Sequence, residues 1–334
     1  MRARDSDFWA ITAYYNPVRW SSRLDNYRAF RRELAAPLLT VEWDPAGRFS
    51  LGATDADVLV QIPGGDHMWQ KERLLGIALA ALPAHVRHVA WLDCDVVFAD
   101  PGWQERTRSQ LETSDIVQPF RQVAYLDQAA TCRVTAGGRP EEQLSPSTLD
   151  RRPSFLDVHS ALGERTAELD LGRRFEPAPG SGRYQIMARP AYGHAWAARR
   201  ELMARIGWYD RCVLGGGDLF FAYGIAGQAE ALIGNHQSVG WDFYGGAGYR
   251  EWAAAIPWHG WPRVACGDGT LLHLFHGELA DRQYRSRIDG LLPYGLDLQK
   301  DVVARPGEPW SWVRDRAELD AYVLAYLRNR QEDG

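Results

Sequence analysis

The chain has 334 residues and carries 38 Lys plus Arg against 43 Asp plus Glu, a formal net charge of -5. This length makes one large domain or two ordinary ones, and a composition 46% hydrophobic and 24% charged excludes wholesale disorder, a collagen-like repeat and a coiled coil. The mild acidity argues against a protein built to grip nucleic acid by its phosphates, so nucleic acid is not an expected partner.

Phe8 to Tyr15 (FWAITAYY) reads as a buried first strand, ended by the turn signal Asn16-Pro17. Ser21 and Ser22 offer N-caps for a helix over Arg23 to Leu34, in which Leu24, Tyr27, Phe30, Arg31 and Leu34 fall near one face. Leu38 to Trp43 and Ala56 to Ile62 read as the second and third strands. Asp66 caps a predicted helix from His67 to Leu82, stopped by Pro83. Val86 to Leu92 is a fourth strand that runs into Asp93-Cys94-Asp95, followed by a helix over Gly102 to Glu112 and a strand over Asp115 to Pro119. This alternation predicts an α/β fold with a mostly parallel central sheet, helices on its faces and ligands off the carboxyl ends of the strands.

Gln128 to Arg189 is rich in Arg, Glu, Gly, Pro and Ser and shows little periodicity, so an irregular, partly helical insertion is expected there. Order resumes at Gly193 to Ala204, and a helix is predicted over Leu219 to Ala226. Trp241 to Trp261 has the composition of loops with exposed rings, and a last helix, Ala317 to Arg328, ends in a polar tail.

Cys94, Cys132, Cys212 and Cys266 form no C-x-x-C pair, which argues against a zinc ribbon or disulfide scaffold and for reduced thiols in a cytosol. The charged start, Met1 to Asp7, runs directly into the first strand and leaves no room for the apolar stretch of a signal peptide. No apolar run approaches the roughly 18 residues of a membrane span, so a cytoplasmic protein is expected. The chain holds 14 Trp and 14 Tyr, rings that suit core packing and also stacking on sugars or bases, while Lys71 and Lys300 are its only lysines.

Three motifs carry chemistry. Asp93-Cys94-Asp95 follows the apolar strand VAWL, and carboxylates at i and i+2 past a strand can reach a hard divalent cation that also binds phosphate. An arbitrary D-x-D is more often a turn or a cap, but one at the edge of a buried central strand sits in the ligand crevice. Gly215-Gly216-Gly217-Asp218 opens a helix: its glycines allow close backbone approach, and Asp218 can serve as a general base or merely as an N-cap. His273-Leu274-Phe275-His276-Gly277 offers a third metal ligand. The i, i+3 spacing places its two histidines on opposite faces of a strand, so one ligand is expected. Arg282, Arg285 and Arg287, with Tyr284, follow on a predicted helix and can neutralise a diphosphate. Neither G-x-G-x-x-G nor G-x-x-x-x-G-K-[ST] occurs, which counts against dinucleotide oxidoreductases and P-loop NTPases.

In order and content these motifs resemble nucleotide-sugar-dependent glycosyltransferases of the GT-A fold. HMWQKERLLGIAL with VAWLDCDVVFADPGW is similar to the stretch around their D-x-D in bacterial and phage-type members. GWYDRCVLGGGDLFFAYGIAG resembles their acceptor-side motif, as in galactosyltransferases, and HLFHGELADRQYRSR their closing element. The resemblance covers residues 8–120 and 190–290.

It implies one GT-A domain over 1–334, with a nucleotide-sugar half at 1–125, an insertion at 126–190, an acceptor and metal-completing half at 191–295 and a helical tail at 296–334. It implies Mn²⁺ or Mg²⁺ on the diphosphate of a donor, expected to be a UDP-sugar. Asp93 and Asp95 would act at metal and donor, with Asp95 the surer direct ligand, His276 the third ligand and His273 the fallback. Arg282 would face the diphosphate, and Thr12, Tyr14 and Asn16 the base and ribose. Asp218 would be the base of an inverting transfer to a carbohydrate, peptide or small-molecule hydroxyl, with Gly216, Gly217, Trp241 and Trp258 on the acceptor side. One departure is that Leu219-Phe220-Phe221 follows Asp218 where the galactosyltransferase-like branch carries an acidic cluster, which leaves a single candidate base.

Two rivals share parts of this pattern. A metal-dependent nucleotidyltransferase or sugar-diphosphate hydrolase would use the same acidic pair, but Tyr14-Tyr15-Asn16-Pro17 replaces the Gly-rich, basic signature expected after its first strand. A non-catalytic carbohydrate-binding protein would use the Trp-rich stretch and has little need of a metal pair.

Overall fold

The computed structural model describes residues 5–144, 150–163, 190–238, 240–244, 246–257, 259–284, 286–314 and 316–333. Strand and helix alternate at first, through β1 (Phe8–Tyr14), α1 (Ser21–Glu33), β2 (Leu38–Trp43), β3 (Val58–Ile62), α2 (Lys71–Ala81) and β4 (His88–Leu92). Next come β5 (Val96–Phe98), α3 (Trp103–Gln110), β6 (Ile116–Gln118), β7 (Gln122–Tyr125), α4 (Gln128–Thr135), β8 (Asp150–Pro153) and α5 (Phe155–Leu162). After β9 (Ala195–Arg199) and α6 (Arg200–Ile206), three helices follow as α7 (Gly217–Ile225), α8 (Ala229–Ser238) and α9 (Ala247–Ala254). The chain closes through β10 (Val264–Cys266), β11 (Thr270–His273), α10 (Ser286–Asp289), β12 (Val302–Val303), β13 (Ser311–Trp312) and α11 (Ala317–Arg328).

Among the described residues the central sheet has seven strands in the order β10-β6-β9-β4-β1-β2-β3, of which only β9 runs antiparallel to its neighbours. This is an α/β fold with a mixed, mostly parallel sheet flanked by helices. β1, β2 and β4 are almost wholly buried because both faces are covered. On one face α1 sets Tyr27, Phe30 and Leu34 against Phe8, Ala10 and Tyr14. On the other, α2 sets Leu74, Leu75 and Ala78 against Trp9, Ile11 and Trp91. Trp91 stacks on Trp196 of β9 and meets Phe221 of α7 edge to face, tying β4 to the helix that carries Asp218. Truncating a ring so buried costs about 3–5 kcal/mol.

A second sheet, β5-β11-β7-β8, stands beside the first. It takes in part of the expected insertion: β8 pairs with β7, and α5 buries Phe155 and Leu156 in the core. Residues 164–189 of that segment lie outside the described residues. The 241–261 stretch also departs from the loop reading, since α9 crosses it and Trp241, Tyr244 and Tyr249 are buried, while Trp261 is exposed. Among the described residues no helix is long and apolar enough to cross a membrane.

Candidate functional site

Asp93, Cys94 and Asp95 form the turn by which the chain leaves β4 in the central sheet and enters β5 in the second. β11 pairs antiparallel with β5 so that His273 lies opposite Val96, next to Asp95. β11 ends at His273, and Leu274 N–H donates to the Asp95 carbonyl at 2.9 Å. Because the strand stops there, its alternation does not extend to His276, whose ring turns back to the same point. The expected placement of the two histidines on opposite faces is therefore corrected. The Nε2 atoms of His273 and His276 are 3.2 Å apart, and that of His276 is 3.1 Å from Asp95 Oδ2. One ligand atom from each of Asp95, His273 and His276 lies within 4.8 Å of the others.

The donor set fits a divalent cation. Burial, with Arg282 close by, lowers the pKa of both imidazoles, so they are neutral and able to ligate. Asp95 Oδ1 is buried without a hydrogen-bond partner, an unmet demand that a cation would satisfy. Two imidazoles with one carboxylate suit Mn²⁺ better than Mg²⁺, which prefers oxygen ligands. Arg282 Nη2 lies 2.9 Å from His276 Nε2 and 3.2 Å from its Nδ1, at the edge of this cluster.

Asp93 lies outside the cluster. Its carboxylate takes a hydrogen bond from Lys71 Nζ at 2.7 Å, and the same ammonium reaches Asp218 Oδ2 at 2.8 Å and Oδ1 at 2.9 Å. Lys71 thus joins the D-x-D turn to the Gly-rich motif. Burial would lower its pKa, but Asp218, Asp93 and Glu72 outweigh burial and hold it well above the ordinary value. The helix expected from His67 begins at Lys71 instead. The Asp66 carboxylate receives Trp312 N–H rather than capping, and Trp69 N–H bonds to Val213. That late start puts Lys71 and Glu72 in the first turn, facing the cleft and Gly217.

The Gly-rich motif works as expected locally. Gly215 and Gly216 have φ of +87° and +105°, which favours glycine, and Gly217 and Asp218 open α7. Gly217 is buried against the Glu72 carboxyl, which a Cβ there would overlap. Gly193 makes room for Asp218 in the same way. Its neighbour His194 is a non-glycine residue at φ +74°, with Nε2 3.0 Å from the Tyr125 hydroxyl and Nδ1 3.8 Å from Asp93 Oδ2. No sequence motif marks His194. For Lys71 the available signal was its rarity in an arginine-rich chain.

The C-terminal tail completes the wall. Glu332 pairs with Arg23 and Arg330, both in the cleft, and Arg330 lies over the Trp69 ring. Asp333 accepts from the Ser21 and Ser22 backbone N–H groups, giving α1 the cap that its own serines were expected to supply.

Other expected site residues lie elsewhere. Strand alternation turns Ala13 and Tyr15 to the cleft, whereas Tyr14 packs edge to face on Tyr27 in the core. The Thr12 hydroxyl donates to the Leu92 carbonyl, and the Asn16 amide braces the backbone of Trp20. Trp241 is buried, its indole N–H donating to Asp289. Trp258 and Arg285 lie outside the described residues. No protein-family model and no curated protein matches the chain.

Proposed function

We propose that this protein is a metal-dependent glycosyltransferase of the GT-A fold, moving a sugar from a nucleoside diphosphate, with UDP the expected nucleotide, to an acceptor hydroxyl with inversion. One observation carries the reading: a single cleft gathers the Asp95, His273 and His276 ligand set and, through Lys71, the candidate base Asp218. A Mn²⁺ held by Asp95, His273 and His276 would supply Lewis-acid stabilisation of charge on the leaving diphosphate.

In the transfer, the bond from the anomeric carbon to the diphosphate oxygen breaks and a bond to the acceptor oxygen forms. Asp218 takes the acceptor proton as that bond forms. Arg282 faces the charge that grows on the leaving group, in the manner of a preorganised electrostatic clamp. Lys71 holds Asp218 at a fixed distance from the D-x-D turn, and α7 places an apolar wall of Leu219 and Phe220 behind it. Tyr15, stacked on Trp43 at 4.4 Å between ring centres, takes the cleft-facing place expected of Tyr14.

The test is a screen of nucleotide sugars for Mn²⁺-stimulated release of the nucleoside diphosphate, repeated with Asp218→Asn. Transfer should fall by about 10²–10⁴-fold with donor binding intact. Near-normal transfer by that variant removes Asp218 from the base role, and the absence of any active donor removes the reading.

A second reading has one observation in its favour. Two histidines and one carboxylate are also the ligand set of ferrous oxygenases. Oxygen consumption with Fe²⁺, in the absence of any response to nucleotides, would favour it.

A further inference from the structure

Among the described residues five arginines line the cleft, and one of them is unaccounted for by the proposed reaction. Arg23 and Arg330 pair with Glu332, Arg152 pairs with Asp150, and Arg282 sits on His276. Arg287 is different. It is only 8% exposed, yet among the described residues it makes no ion pair.

Its guanidinium is held in place without being neutralised. Nη1 donates to the Tyr326 hydroxyl at 2.5 Å, and the Tyr284 and Tyr326 rings lie 5.0 and 5.4 Å from the guanidinium carbon. Nε is buried with no hydrogen-bond partner. Nη2 lies against Gly215, where an added Cβ would come within 3.4 Å of it. A buried guanidinium without a carboxylate is costly unless a ligand brings the missing charge, and its planar fork suits carboxylate or phosphate. The preformed packing by two tyrosines means that little side-chain ordering remains for the ligand to induce.

Position decides which ligand. Arg287, expected beside Arg282 at a diphosphate, instead borders Gly215, three residues before Asp218, on the acceptor side of the proposed reaction, whereas Arg282 lies at the metal cluster. We propose that Arg287 is a subsite for an anionic group, carboxylate or phosphate, carried by the acceptor. The acceptor is then an acidic or phosphorylated molecule. This rests on the glycosyltransferase reading for its orientation, but the anion site itself does not.

The test uses the full chain and inorganic phosphate as the probe. Protein saturated with UDP and Mn²⁺ is titrated with phosphate at constant ionic strength, and the melting temperature is followed. A further, saturable rise is expected in the wild type. Arg287→Gln should lose that rise while keeping the UDP shift, and Arg287→Lys should show it at weakened affinity. No rise in the wild type, or an equal rise in Arg287→Gln, overturns the proposal. Should Arg287→Gln fail to fold, Arg287→Lys decides: unchanged phosphate affinity overturns the subsite, and a weakened one with an intact UDP shift supports it. If UDP gives no shift but phosphate stabilises the wild type and not the variant, the anion site stands and the donor reading falls.

Discussion

Lys71→Met tests the electrostatic centre of the site. Lys71 Nζ lies 2.7 Å from Asp93 Oδ1 and 2.8 Å from Asp218 Oδ2, so these two oxygens are no more than about 5.5 Å apart. Without the ammonium, two carboxylates at that separation repel by about 3 kcal/mol at an effective dielectric of about 20. The side chains of Asp93 and Asp218 are 24% and 31% exposed, so solvent screening reduces this to about 1–2 kcal/mol. In a chain of 334 residues the melting temperature should fall by about 1–3 °C. Added salt should narrow the gap, because partly exposed charges are screened. The decisive comparison is Lys71→Met/Asp218→Asn, which removes one of the two facing charges and should recover most of the loss. If the double variant melts no higher than Lys71→Met, repulsion between the carboxylates is not what Lys71 relieves.

Other consequences are equally direct. Burial lowers the pKa of His273 and His276 below the ordinary imidazole value near 6.5, so their neutral forms persist as pH falls through that value. Mn²⁺ binding by calorimetry should therefore survive at pH 6, while the stability of the metal-free fold is full above about 6.5 and declines as pH falls below it. Half-loss of binding above pH 7 would contradict this. Glu72 has the opposite sign: burial, opposed by Lys71, raises its carboxyl to about 8. Native stability is then full below the ordinary carboxylate range and declines as pH rises towards that value. Urea midpoints of Glu72→Gln should fall less than those of the wild type between pH 5 and pH 8, and parallel curves would refute the assignment. Gly193→Ala should push Asp218 aside, lowering transfer while UDP binding is kept. Unimpaired transfer would show that Asp218 has room to move.

What could be read from the sequence was local and periodic. Leu38–Trp43 matches its strand to the residue, and the apolar runs of β1 and β4 identified the centre of the sheet because burial on both faces leaves no alternation to confuse. Boundaries failed where a distant partner intervened. Ser21 and Ser22 looked like caps, but Asp333 supplies the cap, and Asp66 looked like a cap but serves Trp312. The site was legible as motifs and not as geometry. Asp95, His273 and His276 come together because β11 ends at His273 and the His276 ring turns back beside it. Lys71, His194 and Arg330 reach the cleft through tertiary contacts that no short motif encodes. The Trp-rich stretch misled because Trp241 and Tyr244 pack inward on α7 and α10.

The central claim is that Asp95, with His273 and His276, holds a metal that brings a nucleoside diphosphate into this cleft. Melting the wild type with UDP, with and without Mn²⁺, and repeating both with Asp95→Ala tests it most directly. A UDP shift that requires Mn²⁺ in the wild type and vanishes in Asp95→Ala is the expected result. A full Mn²⁺-dependent shift in the variant, or no UDP shift in the wild type, would contradict it.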